Sequence, residues 1–573
     1  MNPLNPCSPF SARLCAVPFL VAQLFVSAAW CQTPPTAGSL LNEASKAGRV
    51  NPPLTGLSAD EPVLETPART SIQMPEGMTV KVSGFQITGA VSFAESELQA
   101  LVAPWVGKSL SINALNEAAG ALTRHYQSKG YVLSYAYLPA QKIADGTIQI
   151  AVLEGRIDDI QIVTAQQVRL QDEVVHAHVE GLTQAATVAQ PEIERRLLLL
   201  NDIPGVVARA SFAPGASTGG ADLVVTVAED EPLTTTLEAN NHGSATTGEY
   251  LLSASFHFKD LFGLGDSTRA KLVASHTGDM VNAVVNTRVP VGGNGWTVGG
   301  GASRLSYALG GNFSKLGGVG EATAFNLNTG YPLIRSFQKN LNFQANIDNK
   351  SLRDEIQLTG IISPKENTVV TTGLSYDQRD AWQGGGNIAA SFSLVQGQLT
   401  LKDSTQLATD RQGLQTAGQF SKLGFDLSRQ QLLSGPWSLM LRVAGQMADK
   451  NLDSSEKFSL TGPGGVRAYA AGDFAVDEGR YTDLQLRYNQ PYVGGALLWS
   501  VFVDNGWGRI NVNPLAGVTD NEVSLLGAGL GLQWSAGPDL GVNATVAWRS
   551  SNSPALGGWG DAPRLYLQLF KNL

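Results

Sequence analysis

The segment Tyr481–Asn489 reads YTDLQLRYN, and apolar and polar residues alternate along it. Successive side chains of a β-strand point to opposite faces of the sheet. The apolar face carries Leu484, Leu486 and Tyr488, and the polar face carries Asp483, Gln485, Arg487 and Asn489. A charged side chain that faces lipid at the middle of a bilayer costs about 2–4 kcal/mol. If this strand crosses a membrane, its polar face must therefore line the interior of a barrel.

The same alternation continues through the C-terminal part of the chain. From Leu233 to Leu573 we count roughly sixteen segments of about ten residues, separated by turns, a pattern typical of outer-membrane barrels. We therefore predict a membrane all-β fold over residues 232–573, a transmembrane β-barrel of about 16 strands. A soluble β-sandwich or propeller also alternates, but the uninterrupted length and the polar second face favour the barrel. Such a barrel encloses a water-filled lumen, which would leak unless something fills it.

Composition narrows the class of protein further. Charged residues make up only 16% of the 573 residues, and 62 residues are glycine. Soluble chains average about 25% charged residues and about 7% glycine. The net charge is −9, and the sequence has no basic cluster of the kind that binds nucleic acid. We therefore expect no nucleic-acid partner.

The N-terminus has the features of an export signal. All three cysteines lie within the first 31 residues, together with Arg13 and the apolar run Leu14–Ala29. These features predict a signal peptide over residues 1–31, cleaved between Ala28 and Gln32. A membrane anchor is the alternative, but the run is shorter than the ~20 residues of a spanning helix. We expect no disulfide in the exported chain.

Three further regions precede the barrel. Residues 32–49 are predicted to contain a short helix, Ala37–Arg49, and residues 50–77 to form a linker with five prolines. Proline-rich linkers are extended and semi-rigid, so the helix is tethered but free to move. Residues 78–154 and 155–231 each show strand and helix periodicities in the order β-α-α-β-β. We therefore predict two tandem α+β modules.

One residue of the barrel region does not fit its surroundings. The segment Thr461–Asp473, TGPGGVRAYAAGD, lies in a long loop and carries Arg467 among apolar and small residues. In the second predicted strand after this loop, the period-two alternation places Phe502, Asp504 and Gly506 together on the inward face. We expect the loop, residues 451–478, to fold into the barrel.

A pairing of Arg467 with Asp504 would hold the loop there. Such a pair is bidentate, and it fixes position more reliably than it adds stability. We call this hypothetical contact the latch. The alternative is that Arg467 is solvated and that Asp504 only lines a polar lumen.

The order of these regions along the chain resembles that of a known family. Signal peptide, short helix, linker, two modules and barrel occur in the order found in two-partner secretion transporters (TpsB; FhaC, ShlB and HecB types). These belong to the superfamily of BamA-like barrels with POTRA domains. The most specific marks are Val466-Arg467-Ala468-Tyr469, similar to the family's V-R-G-[YF] loop tip, and Phe502-Val503-Asp504-Asn505-Gly506, similar to its F-x-D-x-G strand. Gly248–Asp266 is also similar.

The resemblance implies roles for these residues. Val466, Arg467 and Tyr469 are expected at the loop tip inside the barrel, held by Asp504. The short helix is expected to plug the pore at rest, and the POTRA domains to lie in the periplasm and capture the partner. Ala468 replaces the motif glycine, so a strict need for positive φ at that position is in doubt.

The implied function is export of one large, β-rich TpsA-type protein across the outer membrane of a Gram-negative bacterium, without ATP. The cargo would be a haemolysin or a filamentous haemagglutinin/adhesin. We expect a monomer in outer-membrane lipid, inserted by the barrel-assembly machinery. An extended cargo segment could add to a POTRA sheet edge. Tyr126, Leu133 and Tyr135 are candidate contacts, although a place in the core is the better assignment for any one of them.

The sequence predicts no catalytic, metal or cofactor site. Val106–Ser109 (VGKS) lacks the preceding glycine of a phosphate-binding loop, because position 102 is valine. The six histidines are scattered, and neither G-x-S-x-G nor H-E-x-x-H occurs. We therefore do not expect an enzyme. A BamA-like insertase is the nearest alternative function, and a diffusion porin is a more distant one.

Overall fold

The computed structural model describes a helix, two mixed modules and a closed barrel. It describes residues 34–47, 79–131, 133–143, 145–165, 168–183, 189–217, 219–492, 494–537, 539–550 and 563–573. The predicted signal peptide, residues 1–31, and the predicted linker, residues 50–77, lie outside the described residues. Among the helices of those ranges, none combines the length and the apolar character needed to cross a bilayer.

The first module has two helices and two small sheets. Its elements are β1 (Thr79–Lys81), β2 (Gly84–Thr88), α2 (Glu95–Val102), β3 (Ser109–Ser111), α3 (Ile112–Ser128), β4 (Tyr135–Tyr137) and β5 (Thr147–Leu153). One sheet has the order β2-β5-β4, and β1 pairs with β3 in a ribbon that the sequence pattern did not predict. The Ser111 side chain accepts a hydrogen bond from the Ala114 N–H and so caps α3. The apolar stripe of α3, including Leu115 and Leu122, is buried in the core.

The second module has the order β-α-α-β-β. Its elements are β6 (Arg156–Thr164), α4 (Asp172–Val179), α5 (Gln190–Asn201), β7 (Val206–Pro214) and β8 (Gly220–Glu229). Its sheet has the order β6-β8-β7. Pro191 lies in the first turn of α5. Backbone N–H groups there have no acceptor within the helix, so proline, which lacks an N–H, costs no hydrogen bond. Leu197 and Leu200 of this helix are buried in the module core.

Sixteen antiparallel strands form the barrel, and the last pairs with the first. They are β9 (Leu233–Asn240), β10 (Leu251–Lys259), β11 (Ser267–Ser275), β12 (Met280–Val291), β13 (Trp296–Ala308), β14 (Gly318–Arg335), β15 (Lys339–Ile356), β16 (Ile361–Asp380), β17 (Gly386–Leu401), β18 (Gly418–Leu432), β19 (Trp437–Ala448), β22 (Glu478–Tyr492), β23 (Gly495–Arg509), β24 (Glu522–Ala536), β25 (Leu540–Arg549) and β26 (Arg564–Asn572). Closure leaves no unpaired sheet edge, which a barrel in lipid requires. The predicted fold class is confirmed.

The alternation in β22 decides which face is inward. Leu484 and Leu486 are exposed on the outer wall, whereas Asp483, Gln485 and Arg487 are buried on the inner one. The outer wall is therefore apolar, as lipid requires, and the inner wall is polar.

The two ends of the barrel differ. At one end, here called the module end, the turns between strands contact the second module. The Gln171 N–H donates to the Gly263 carbonyl at 2.9 Å, and Arg335 forms two hydrogen bonds to Asp202, of 2.8 and 2.7 Å. At the opposite end, here called the loop end, α6 (Ser404–Gln412) follows β17.

Two elements lie inside the barrel. Helix α1 (Ala37–Ala47) packs on inward side chains of the wall. The connection from β19 to β22, residues 449–477, returns into the lumen and contains the short strands β20 (Phe458–Ser459) and β21 (Ala475–Val476). We call this connection the inward loop.

Candidate functional site

The inward loop is packed against the barrel wall by apolar side chains. Its buried residues are Leu460, Val466, Tyr469, Phe474 and Val476. They form one cluster with the wall residues Tyr481, Val523 and Leu525. The loop therefore fills part of the lumen instead of projecting beyond the barrel.

Arg467 and Asp504 are in direct contact. The Arg467 Nε and Nη2 atoms donate to Asp504 Oδ2 and Oδ1 at 2.9 and 2.7 Å. The Arg467 backbone N–H also donates to Asp504 Oδ2, at 2.9 Å. Asp504 has no exposed surface. Three donors from one residue therefore fix both the side chain and the backbone of the loop tip on β23.

Asp483 supplies a second carboxylate that the sequence analysis did not assign to this pair. Arg467 Nη2 donates to Asp483 Oδ1 at 2.7 Å. Asp483 on β22 lies directly opposite Asp504 on β23. Its place on the polar face of YTDLQLRYN predicted an inward position, but only the strand register shows that it faces the same arginine.

An aromatic ring and a glycine complete the contact surface for the loop tip. The Arg467 Cζ atom lies 3.4 Å from the ring centroid of Phe502, within the range of a cation–π contact. A Cβ atom at Gly506 would lie 2.9 Å from Val466 Cγ2, so a side chain there would push the loop away. The structure therefore brings Val466, Arg467, Phe502, Asp504 and Gly506 into one site.

Tyr469 and Ala468 extend this site towards β24 and β26. The Tyr566 hydroxyl donates to the Tyr469 carbonyl at 2.6 Å. Ala468, which replaces the motif glycine, is not among the described residues with positive φ. A Cβ at Gly527 would lie 2.7 Å from the Ala468 Cβ. The alanine is therefore accommodated because the wall opposite it has a glycine.

A second attachment of the inward loop was missed by the sequence analysis. Near the start of the loop, Glu456 binds Lys350 at 2.7 Å and Lys422 at 2.8 Å, and Asp453 binds Lys365 at 2.6 Å. We call these five residues the loop root. The three lysines come from β15, β16 and β18, and no local motif links them.

Helix α1 lies between the wall and the loop root. The Ala37 N–H donates to Asp354 Oδ1 at 2.7 Å, and the Tyr307 hydroxyl donates to the same oxygen at 2.7 Å. A carboxylate at a helix N-terminus stabilises the helix through its unpaired N–H groups and its dipole. On the loop side, Asn42 donates to the Lys457 carbonyl at 2.8 Å.

The three candidate cargo contacts occupy different environments. Tyr126 is fully buried in the first module, and Leu133 is buried against the core of the second. Both are therefore core residues here, and neither presents a surface to a partner, a correction to the sequence-based suggestion. Tyr135 is partly exposed on β4, which forms the edge of the first module's sheet.

Tyr126 has a partner that explains its burial. Its hydroxyl donates to Glu154 at 2.7 Å, and the same carboxylate accepts from the Val91 and Ser92 N–H groups at 2.8 and 2.7 Å. Partial burial acts to raise the Glu154 pKa, but the hydrogen bonds from Ser92, Val91 and Tyr126 outweigh it, and the pKa is lowered. Burial, followed by the bond to Glu154, raises the Tyr126 pKa.

Glu154 should therefore make the stability of the first module depend on pH. Because its folded-state pKa is lowered, its contribution is present above the ordinary glutamate pKa of about 4.3 and is lost as the pH falls through the folded-state value. We expect Glu154→Gln to flatten the profile of module stability below about pH 5. Hydrogen exchange of the first module, in the purified full chain, measures this. Glu117→Gln, at an exposed position of α3, should leave the profile unchanged, and an unchanged profile in Glu154→Gln would contradict the assignment.

Comparison with known proteins agrees with this geometry. The family model "Haemolysin secretion/activation protein ShlB/FhaC/HecB" matches residues 219–534, and the ShlB-type POTRA domain model matches residues 80–155. The chain is 27% identical over 462 residues to the heme/hemopexin transporter protein HuxB of Haemophilus influenzae (strain 86-028NP), covering 79% of this chain and 80% of HuxB.

CdiB is similar in sequence and in fold. The chain is 28% identical over 211 residues to the outer membrane transporter CdiB of Escherichia coli, covering 37% of this chain and 35% of CdiB. A solved structure of CdiB from Escherichia coli superposes with a TM-score of 0.70 at 20% identity, covering 88% of this chain and 93% of that one. These matches confirm the family predicted from the loop-tip and strand motifs. The chain belongs to the ShlB/FhaC/HecB family of haemolysin secretion/activation proteins, the outer-membrane pores of two-partner secretion.

Proposed function

We propose that this two-partner secretion pore exports one large TpsA-type protein in unfolded form and is closed at rest by α1 and the inward loop together. The observation that carries the proposal is their joint position. Both lie inside a closed barrel and contact each other. A hydrogen bond to Asp354 holds α1 to the wall, and ion pairs hold the inward loop to it. These contacts are noncovalent, so the lumen can be cleared without breaking the barrel.

The two modules are proposed to lie in the periplasm and to receive the cargo there. Support comes from their place at one end of the barrel and from the edge strand β4, which carries Tyr135. An exposed edge can accept an extended peptide through backbone hydrogen bonds, which demand little of the cargo sequence. HuxB is named as a heme/hemopexin transporter and ShlB of Serratia marcescens as a hemolysin transporter. We propose cargo of this class, a haemolysin or adhesin.

Export is proposed to proceed without ATP, with folding of the cargo outside the cell as the driving force. The chain is proposed to work as a monomer whose apolar outer wall contacts outer-membrane lipid after insertion by the barrel-assembly machinery. The Arg467–Asp504 latch is proposed to hold the inward loop in its resting position.

Single-channel conductance in planar bilayers tests the resting plug. We expect the native protein to be mostly closed, and deletion of residues 32–77 to give a steady open channel. Asp354→Ala, which removes the acceptor of the Ala37 N–H and of the Tyr307 hydroxyl, should increase the open fraction while leaving the helix in the chain.

Asp377→Asn serves as the control, since Asp377 faces the same lumen and binds Asn340 instead of the helix. It should behave like the native protein. A steady large conductance in all four proteins would contradict the plug and favour a diffusion porin.

A further inference from the structure

Five amide side chains lie close together on the inner wall of the barrel. On β12, β14 and β15 the apolar residues Val285, Phe325 and Ile347 are exposed on the outer wall. Successive side chains of a strand alternate between the two faces, so the even-numbered residues of these strands face the lumen. The amides among them that concern us are Asn286, Asn326, Asn328, Gln344 and Asn346, and we call them the amide band.

A glycine between two of the strands lets the amides meet. Gly301 of β13 lies in register between Asn286 on one side and Asn326 on the other. A Cβ atom at Gly301 would overlap Asn286 Oδ1. Because it has none, Asn326 donates across the glycine to Asn286 Oδ1 at 3.2 Å, and Asn328 donates to Asn326 Oδ1 at 3.1 Å. The three asparagines therefore form one hydrogen-bonded row.

Two further glycines hold the amides close to the wall. A Cβ atom at Gly299 of β13 would lie 2.8 Å from Asn328 Oδ1, and one at Gly373 of β16 would lie 3.1 Å from Gln344 Nε2. Side chains at these two positions would push the amides away from the wall. The amides therefore lie over bare backbone, and their polar groups line the lumen without projecting far into it.

The band has hydrogen-bonding groups that the protein itself does not use. A primary amide has two N–H donors and an oxygen that accepts. Within the described residues Gln344 has no hydrogen-bond partner, and Asn286 uses only its oxygen. Both side chains are exposed to the lumen. The donors of both residues, and the Gln344 oxygen, are therefore available to a ligand.

Helix α1 does not account for these groups. It packs on the apolar inner residues Leu305, Ala322 and Leu352 of β13, β14 and β15. On each of these strands the band and its glycines lie nearer to the module end, where Arg335 contacts the second module. The apolar surface for the helix is thus followed, towards the module end, by a polar one that the helix leaves exposed.

The chemistry of the band matches a polypeptide main chain. Each residue of an unfolded chain, except proline, carries one N–H donor and one carbonyl acceptor, and an amide side chain offers a partner to either. A charged wall would hold some cargo sequences and repel others, whereas uncharged amides bind the backbone whatever its side chains are. We propose, on the basis of the export function proposed above, that the amide band binds the main chain of the unfolded cargo as it enters the lumen from the module end.

Peptide blockades in planar bilayers test this contact, within open events of the full-length protein. The first probe is a flexible Gly/Ser peptide of about 20 residues. The second is a polyethylene glycol of similar length, which is also flexible and uncharged but has no N–H group and no carbonyl. Asn286→Ala with Gln344→Ala should shorten the dwell time of the peptide about tenfold, because several weak hydrogen bonds are lost. The dwell time of the glycol should stay unchanged.

The matched control also removes one asparagine and one glutamine from the inner wall. Leu530 and Trp548 are exposed on the outer wall of β24 and β25, so Gln533 and Asn543 face the lumen. Asn543 already donates to Gln568, and its oxygen is buried. Gln533→Ala with Asn543→Ala should therefore leave the dwell time of the peptide unchanged. Native unitary conductance in both double variants would show that their barrels are intact.

Equal shortening for peptide and glycol, or equal shortening in the two double variants, would overturn the proposal, since general polarity of the lumen would then set the dwell time. Dwell times are read only within open events, so an error in the resting-plug proposal does not affect them. Failure of the export proposal is separable, because cells would then lack cargo at their surface while the purified channel kept its preference for the peptide.

Discussion

Arg467→Ala is expected to release the tip of the inward loop from the wall and to disturb channel gating severely. The substitution leaves Asp504 and Asp483 buried beside each other without their cation. Removing one partner of a buried pair typically costs about 3–5 kcal/mol, since the remaining charge is uncompensated. We expect frequent opening in planar bilayers and cleavage of the loop by protease added outside intact cells.

Two further variants separate the latch from a general loss of charge. Arg467→Lys keeps the charge but loses the bidentate geometry, so it should fall between the native protein and Arg467→Ala. Arg442→Ala removes an arginine from another lumen pair, with Asp426, and should leave the loop protected from protease. Arg467→Ala with Asp504→Asn should recover part of the loss, because it removes one of the unpaired charges. Native gating and protease resistance in Arg467→Ala would contradict the latch.

The sequence predicted the Arg467–Asp504 pair of this site. The period of two placed Asp504 on the inner face, and an arginine among small and apolar residues in a glycine-rich loop indicated a buried partner. Asp483 was recognised as inward but not as a partner, since that needs the register that sets it opposite Asp504. Register depends on how two strands pair across a turn, and side-chain alternation alone does not specify it.

The loop root and the first module also contain contacts that local sequence patterns do not specify. Lys350, Lys365 and Lys422 lie on three nearby strands, and they meet one short stretch of loop only because the loop folds back into the lumen, an arrangement that no local pattern contains. In the first module, helical spacing located α3 but could not decide whether Tyr126 faces a partner or the core. Glu154 explains why Tyr126 faces the core, because its carboxylate accepts the hydrogen bond of the Tyr126 hydroxyl inside the module.

Glu456→Gln is expected to be the most destabilising single change in the loop root. The Glu456 side chain is only 4% exposed, and it neutralises two lysines that are themselves largely buried. Its Oε1 atom also accepts from Asn367 at 2.9 Å. A neutral amide would leave Lys350 and Lys422 facing each other, a loss on the order of 3–5 kcal/mol. Thermal unfolding of the purified barrel in detergent would show this as a lowered Tm.

Glu366→Gln is the matched control, because Glu366 pairs with Lys402 at the surface and such pairs contribute about 0–1 kcal/mol. Lys422→Gln added to Glu456→Gln should restore part of the stability by removing one of the two lysines. Equal Tm values for Glu456→Gln and Glu366→Gln would contradict the assignment. Because Thr36 and Asn42 bind the loop at Ser454 and Lys457, Glu456→Gln should also open the channel. That second effect would show that the helix and the loop leave the lumen together.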